Sequence, residues 1–148
     1  PKAAAPAASE IASPEACPHQ TQREQAAAVI ACLTSHARIY HGLGPVTSHP
    51  ALVAAATAKA QDIINCRDFS HTACGRPANY WLGNKGYTGK CSGENIAQGQ
   101  PTPRDVFVAW MKSPGHRANI LRPGYTHIGT AVLTSSAGPV WVMELGGC

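Results

Sequence analysis

At 148 residues with 44% hydrophobic and 14% charged side chains, the chain is long enough to bury a core of its own and too apolar to be disordered throughout. Twelve basic against eight acidic side chains leave a formal charge of +4. That is modest, and without a run of Lys and Arg interleaved with aromatics it argues against a nucleic-acid partner. No apolar run approaches the length that spans a bilayer. The six cysteines, Cys17, Cys32, Cys66, Cys74, Cys91 and Cys148, form an even set without any C-x-x-C pair. Disulfides in an oxidising compartment are therefore expected rather than a thiolate zinc site. The chain has no initiator methionine, and Pro1 to Ala16 lacks the charged head and apolar core of a signal peptide, so a processed, exported chain is expected.

Residues 1–16, mostly Ala, Pro, Ser and Lys, read as a semi-extended tether, with a single domain from Cys17 to Cys148. Ala26, Val29, Ile30, Leu33, Ala37 and Tyr40 recur at helical spacing and predict a first helix over 24–40, ended by His41-Gly42. A second helix is predicted to about Asn65, capped by Thr47 or Ser48, with Pro50 in its first turn and Leu52, Ala56, Ala60, Ile63 and Ile64 facing inward. Between Gly75 and Gly99 the chain reads as irregular, with a short extended segment around Ser92 to Ala97. Thr102-Pro103-Arg104-Asp105 starts a third helix through about Lys112, and Ser113-Pro114 starts a short one through Leu121, stopped by Pro123-Gly124. His127 to Leu133 and Val140 to Leu145 read as two strands of a hairpin. Helices flanking late antiparallel strands make this an α+β domain.

Three motifs stand in order: Phe69-Ser70-His71, Gly93-Glu94-Asn95-Ile96-Ala97, and Trp110-Met111-Lys112-Ser113-Pro114-Gly115-His116-Arg117-Ala118-Asn119-Ile120-Leu121. Together they resemble the CAP superfamily of cysteine-rich secretory proteins, venom antigens and plant pathogenesis-related proteins, in particular its bacterial branch. The resemblance runs from Cys17 to Cys148 and implies a three-layer α-β-α sandwich around a mainly antiparallel sheet. It also implies a secreted, periplasmic or cell-envelope location and a central cleft with two histidines and two acidic residues. His71, Glu94 and His116 match that cleft. The second acid belongs to a W-x-x-E pattern, and here Trp110-Met111-Lys112 is followed by Ser113.

Two imidazoles and a carboxylate are donors that suit a divalent metal such as zinc, with His71 and His116 as ligands and Glu94 as ligand or base. The alternative is a hydrogen-bonded polar network between the layers, which the sequence favours. A serine-nucleophile reading, Ser113 with His116 oriented by Glu94, lacks a G-x-S-x-G elbow and competes with Ser113 as a helix cap. Arg117 is expected to pair with a carboxylate, Asn95 and Asn119 to hold loop backbone, and Trp110, Trp141 and Phe107 to pack the core. Tyr80, Trp81 and Tyr87, in the irregular stretch, read as loop packing or as a small aromatic recognition surface. His19, His36, His41, His49 and His127 read as surface or capping residues. Cys17 with Cys32, Cys66 with Cys74 and Cys91 with Cys148 is one pairing among the many that six cysteines allow.

The leading expectation is a non-enzymatic interaction module offering a groove to a lipid, a small ligand or a cell-envelope protein. A metal-assisted, peptidase-like hydrolase and a tethered accessory subunit of an envelope assembly are the rivals.

Overall fold

The computed structural model describes residues 9–148. Its main helices are α1 (Ala26–Tyr40), α2 (Pro50–Asn65), α3 (Tyr80–Asn84), α4 (Pro103–Met111) and α5 (Pro114–Ile120). The strands are β1 (Thr47–Ser48), β2 (Cys91–Gln98), β3 (Tyr125–Ser135) and β4 (Gly138–Gly147), ordered β1-β3-β4-β2 across one sheet. β1 runs parallel to β3, and the other neighbours are antiparallel.

Period-two alternation in β4 sorts the core into two halves. Trp141, Met143 and Leu145 join α1, α4 and Ile120 in one cluster with Val29, Leu33, Phe107 and Trp110. Val140 and Val142 join Ile96 and Ala131 under Ala56, Ala60 and Ile63 of α2. The α+β sandwich with a mainly antiparallel sheet is thus realised by helices on both faces.

The prolines stand in the first turns of α2, α4 and α5 as expected, and the cap of α4 is the expected one. Thr102 accepts the Asp105 N–H at 3.1 Å and donates its hydroxyl to the Asp105 carboxylate at 2.7 Å. Two starts differ. Thr47 and Ser48 are taken up by β1 beside β3, and His49 caps α2 instead, its Nδ1 accepting the Ala51 N–H at 3.1 Å. Ser113 makes no side-chain cap to α5, because its hydroxyl is turned to His116. The stretch after Gly75 is also more ordered than expected: α3 places Trp81 Nε1–H 2.7 Å from Asp62 Oδ2, while Arg76 and Lys85 lie over its ring. Of the three loop aromatics only Tyr80 is exposed.

Of the sixteen residues read as a tether, 1–8 lie outside the described residues and 9–16 pack onto the domain. Ala12 is buried in the larger core cluster, and the Glu10 carboxylate is buried against Arg117, which donates to both of its oxygens at 2.9 and 2.8 Å, and against His41 Nε2. Burial alone would raise the Glu10 pKa, but hydrogen bonds from Arg117 and His41 outweigh it and hold the carboxyl below its ordinary value. Arg38, buried on α1, donates to the carbonyls of Gly44, Ile120, Arg122 and Tyr125 and so ties the α1–β1 and α5–β3 connections to one helix.

The three disulfides join Cys17 to Cys32, Cys66 to Cys74 and Cys91 to Cys148. Spanning 57 positions, the last removes the most freedom from the unfolded chain, about 4 kcal/mol by loop-closure entropy. The closest layer contact lies at Gly129, where a Cβ would fall inside the Leu52 carbonyl and the Val53 nitrogen of α2. Backbone cannot rotate away as a side chain can. Gly129→Ala should therefore lift α2 off the sheet, cost about 3 kcal/mol or more and lower Tm by roughly 6–12 °C. Thermal unfolding followed by circular dichroism with the disulfides intact measures this, and an unchanged Tm would show that the layers can separate freely.

Candidate functional site: a polar cluster between helix α2 and the sheet

His71 lies on the loop after α2 that the Cys66–Cys74 bridge closes, and its side chain is half exposed. Its Nδ1 is 2.8 Å from Glu94 Oε1 on β2. Glu94 also faces Lys59, whose ammonium lies 3.3 Å from Oε2 and 3.4 Å from Oε1. Lys59 is fully buried in α2 and donates as well to the backbone carbonyls of His71 and, at 3.3 Å, Ala78. A buried ammonium is tolerable only when its donors are used, and these partners use them.

Across the β2–β4 ladder Glu94 stands directly opposite Glu144. Glu144 is 2% exposed, and its Oε2 has no hydrogen-bond partner. Burial first, and then the neighbouring Glu94, push its pKa well above the ordinary carboxylate value, with Lys59 pulling weakly the other way. Glu144 accordingly keeps its proton to a pH well above that at which an ordinary carboxyl releases it.

His116 on α5 is held separately. Its Nδ1 is 2.9 Å from the Ser113 hydroxyl and its carbonyl accepts from Asn95 Nδ2 at 3.1 Å. Asn119 Nδ2 donates to the Glu94 carbonyl at 3.2 Å and to Asn95 Oδ1 at 2.9 Å, fastening α5 to β2. Burial, with a smaller contribution from His71, lowers the His116 pKa and keeps the ring neutral at pH 7. His71 and Glu94 are thus in direct contact, and His116 bonds to neither. Glu94 orients His71 rather than His116, so the Ser113–His116–Glu94 relay is not assembled. Among the described residues no three His, Cys, Asp or Glu side chains are grouped as a metal ion would need.

The match to known proteins follows the same residues. The family model for the cysteine-rich secretory protein (CAP) family matches residues 33–145. This chain belongs to that family. It is 40% identical over 117 residues to YkwD of Bacillus subtilis, an alignment covering 78% of this chain and 44% of that protein. The chain therefore spans less than half the length of that curated relative. An extracellular SCP-domain protein of Bacillus anthracis superposes with a TM-score of 0.78 at 21% identity, covering 85% of this chain and 41% of the other. An outer surface protein of Borrelia burgdorferi does so at 0.70 and 20%, covering 77% and 86%.

Within this CAP domain, Lys59 and Glu144 escaped the reading from sequence. Both left a signal. Lys59 falls on the inward stripe of α2 between Ala56 and Ile63, and Glu144 falls in β4 on the face shared by Val140 and Val142. A charged residue at a core-facing position calls for a partner, and here the two residues meet at Glu94. The second carboxylate missing from Ser113 thus has a counterpart on β4, but an inward-facing and protonated one.

The raised pKa sets a sign for stability. Above the ordinary carboxylate pKa the unfolded chain releases the Glu144 proton while the folded chain keeps it, so this group makes folding less favourable as pH rises. Below that pKa both states are protonated and the penalty disappears. Glu144→Gln offers Glu94 an amide N–H in place of the carboxyl O–H and removes the titration. Its Tm should exceed that of the parent by a few degrees, roughly 2–6 °C, at pH 7, and the gap should close toward pH 4. A gap constant with pH in calorimetric scans would mean that Glu144 ionises normally.

Proposed function

We propose that this CAP domain acts outside the cytoplasm or at the cell envelope as a non-enzymatic binding module, with the groove beside His71, Glu94 and His116 as its recognition surface for a lipid, a small ligand or an envelope protein. The observation that carries this reading is the commitment of Glu94. Its Oε1 lies 2.8 Å from His71 Nδ1 and 3.4 Å from the buried Lys59 ammonium, and Oε2, which makes no hydrogen bond, is paired with the same ammonium at 3.3 Å. The side chain is thus held inward by an ion pair rather than offered to a metal ion or a water. The extracellular and surface placement of the structural relatives supports the location.

A metal-assisted hydrolase is the second reading, and one feature favours it. His71 and His116 each use Nδ1 internally, which leaves both Nε2 atoms to offer a metal ion. Two imidazoles without a third protein ligand fit a weakly held ion rather than a catalytic zinc with three ligands. A tethered role in a larger assembly rests on residues 1–8, which lie outside the described residues.

Calorimetric titration with zinc, run beside a peptide-hydrolysis panel, separates the two readings. Zinc should bind more weakly than roughly micromolar, against the ~10–16 kcal/mol of structural sites, and no turnover should exceed that of the folded His71→Ala/His116→Ala variant. Chelator-sensitive turnover lost in that variant would establish the hydrolase. Absence of saturable binding to any of a panel of lipids, carbohydrates and envelope proteins would remove the binding module.

A further inference from the structure

A second group of ring nitrogens lies away from the Glu94 cleft, where the start of β3 and the end of β4 meet β1 and the loop before β2. A cleft of about 370 Å³ opens there, lined among others by His49, Tyr87, Lys90, Thr126 and His127 and by no acidic side chain. The His49 and His127 rings meet edge to face at 4.9 Å, and Tyr87 stands edge-on to them at 5.1 and 5.8 Å. Glycines make this seat: a Cβ at Gly89 or at Gly146, the residue opposite His127, would run into the Tyr87 ring.

Hydrogen bonds fix where the imidazole protons reside. His49 Nδ1 accepts the Ala51 N–H, so its lone pair is used and the neutral ring carries its proton on Nε2. His127 Nδ1 lies 2.9 Å from the Tyr87 hydroxyl, with the Thr126 hydroxyl at 3.5 Å. Burial raises the Tyr87 pKa, so the phenol stays protonated, and with the phenol as donor to that nitrogen the His127 proton resides on Nε2 as well. A metal would need the Nε2 lone pairs that both rings lack in this state. An oxyanion accepts what they offer: two N–H groups, with Lys90 among the residues that line the same cleft.

We propose that this cleft binds a small oxyanionic group, phosphate or carboxylate, held by His49 Nε2–H, His127 Nε2–H and Lys90. It is independent of the cleft at Glu94. The test is long-range ¹H–¹⁵N spectroscopy of the imidazoles at pH 7 on the disulfide-intact chain, titrated separately with inorganic phosphate, acetate and, as the ionic-strength control, chloride. Saturable shifts at His49 and His127 with phosphate or acetate, not followed by His71 and His116, are expected. Preference between the two anions then assigns a phosphorylated or a carboxylated ligand. His127→Phe and the surface change Lys90→Gln should each weaken binding about tenfold or more while circular dichroism stays unchanged. Shifts no larger than in chloride up to about 50 mM, affinity unchanged in both folded variants, or zinc bound through these Nε2 atoms would each overturn the proposal.

Discussion

The ammonium of Lys59, sealed between α2 and the sheet, is the interaction around which this domain is arranged. Removing a lysine from water costs several kcal/mol, and only a close set of acceptors makes it tolerable. Lys59 finds them in Glu94 and in the carbonyls of His71 and Ala78. Each partner then becomes fixed by the same requirement. The loop carrying His71 must return over α2, the Cys66–Cys74 bridge keeps it there, and α2 must lie close enough to the sheet for the ammonium to reach β2. Gly129 permits that approach by leaving room for the α2 backbone. With one cation facing two carboxylates, one acid must hold its proton, and the more deeply buried Glu144 is that acid.

The two faces of the sheet consequently do different work. The face toward α1 and α4 carries most of the large apolar side chains and is pinned by Arg38, whose guanidinium satisfies carbonyls from the α1–β1 and α5–β3 connections. The face toward α2 carries the Lys59–Glu94–Glu144 group. Along β4 this face is read at alternate positions: Val142 in the apolar cluster, Glu144 opposite Glu94 and Gly129, then Gly146 opposite Ser92 and His127. Period two therefore sets the His71–Glu94 pair and the His49–His127 cleft one pleat apart on one surface.

Much of this was legible in the residues because it depends on local chemistry. Helical spacing marks α1 and α2, the Thr102-Pro103 start marks α4, and the ordered motifs bring His71 to Glu94. Arg117 finds the carboxylate expected of it, and Asn95 and Asn119 bind backbone as expected. What stayed hidden depends on register and tertiary fit. Whether Ser48 caps α2 or pairs with Ile128 is decided by β3, some eighty residues away in the chain. Ser113 has a cap sequence but a closer partner in His116. Ala- and Pro-rich composition conceals that Glu10 meets Arg117 and His41, because a single buried charge contributes almost nothing to average hydropathy.

The same register explains why a motif position can be lost without emptying the fold of acid. A carboxylate after Trp110-Met111-Lys112 would stand at the start of α5, three positions before His116. Glu144 instead enters from β4 beneath α2, where it reaches Glu94 but is almost wholly screened from solvent. At that position this chain carries a hydroxyl that holds His116, and the buried charge balance falls to Lys59, Glu94 and Glu144. The outcome is a cluster in which His71 and His116 use Nδ1 internally and the two acids are turned inward, Glu94 toward Lys59 and Glu144 beneath α2.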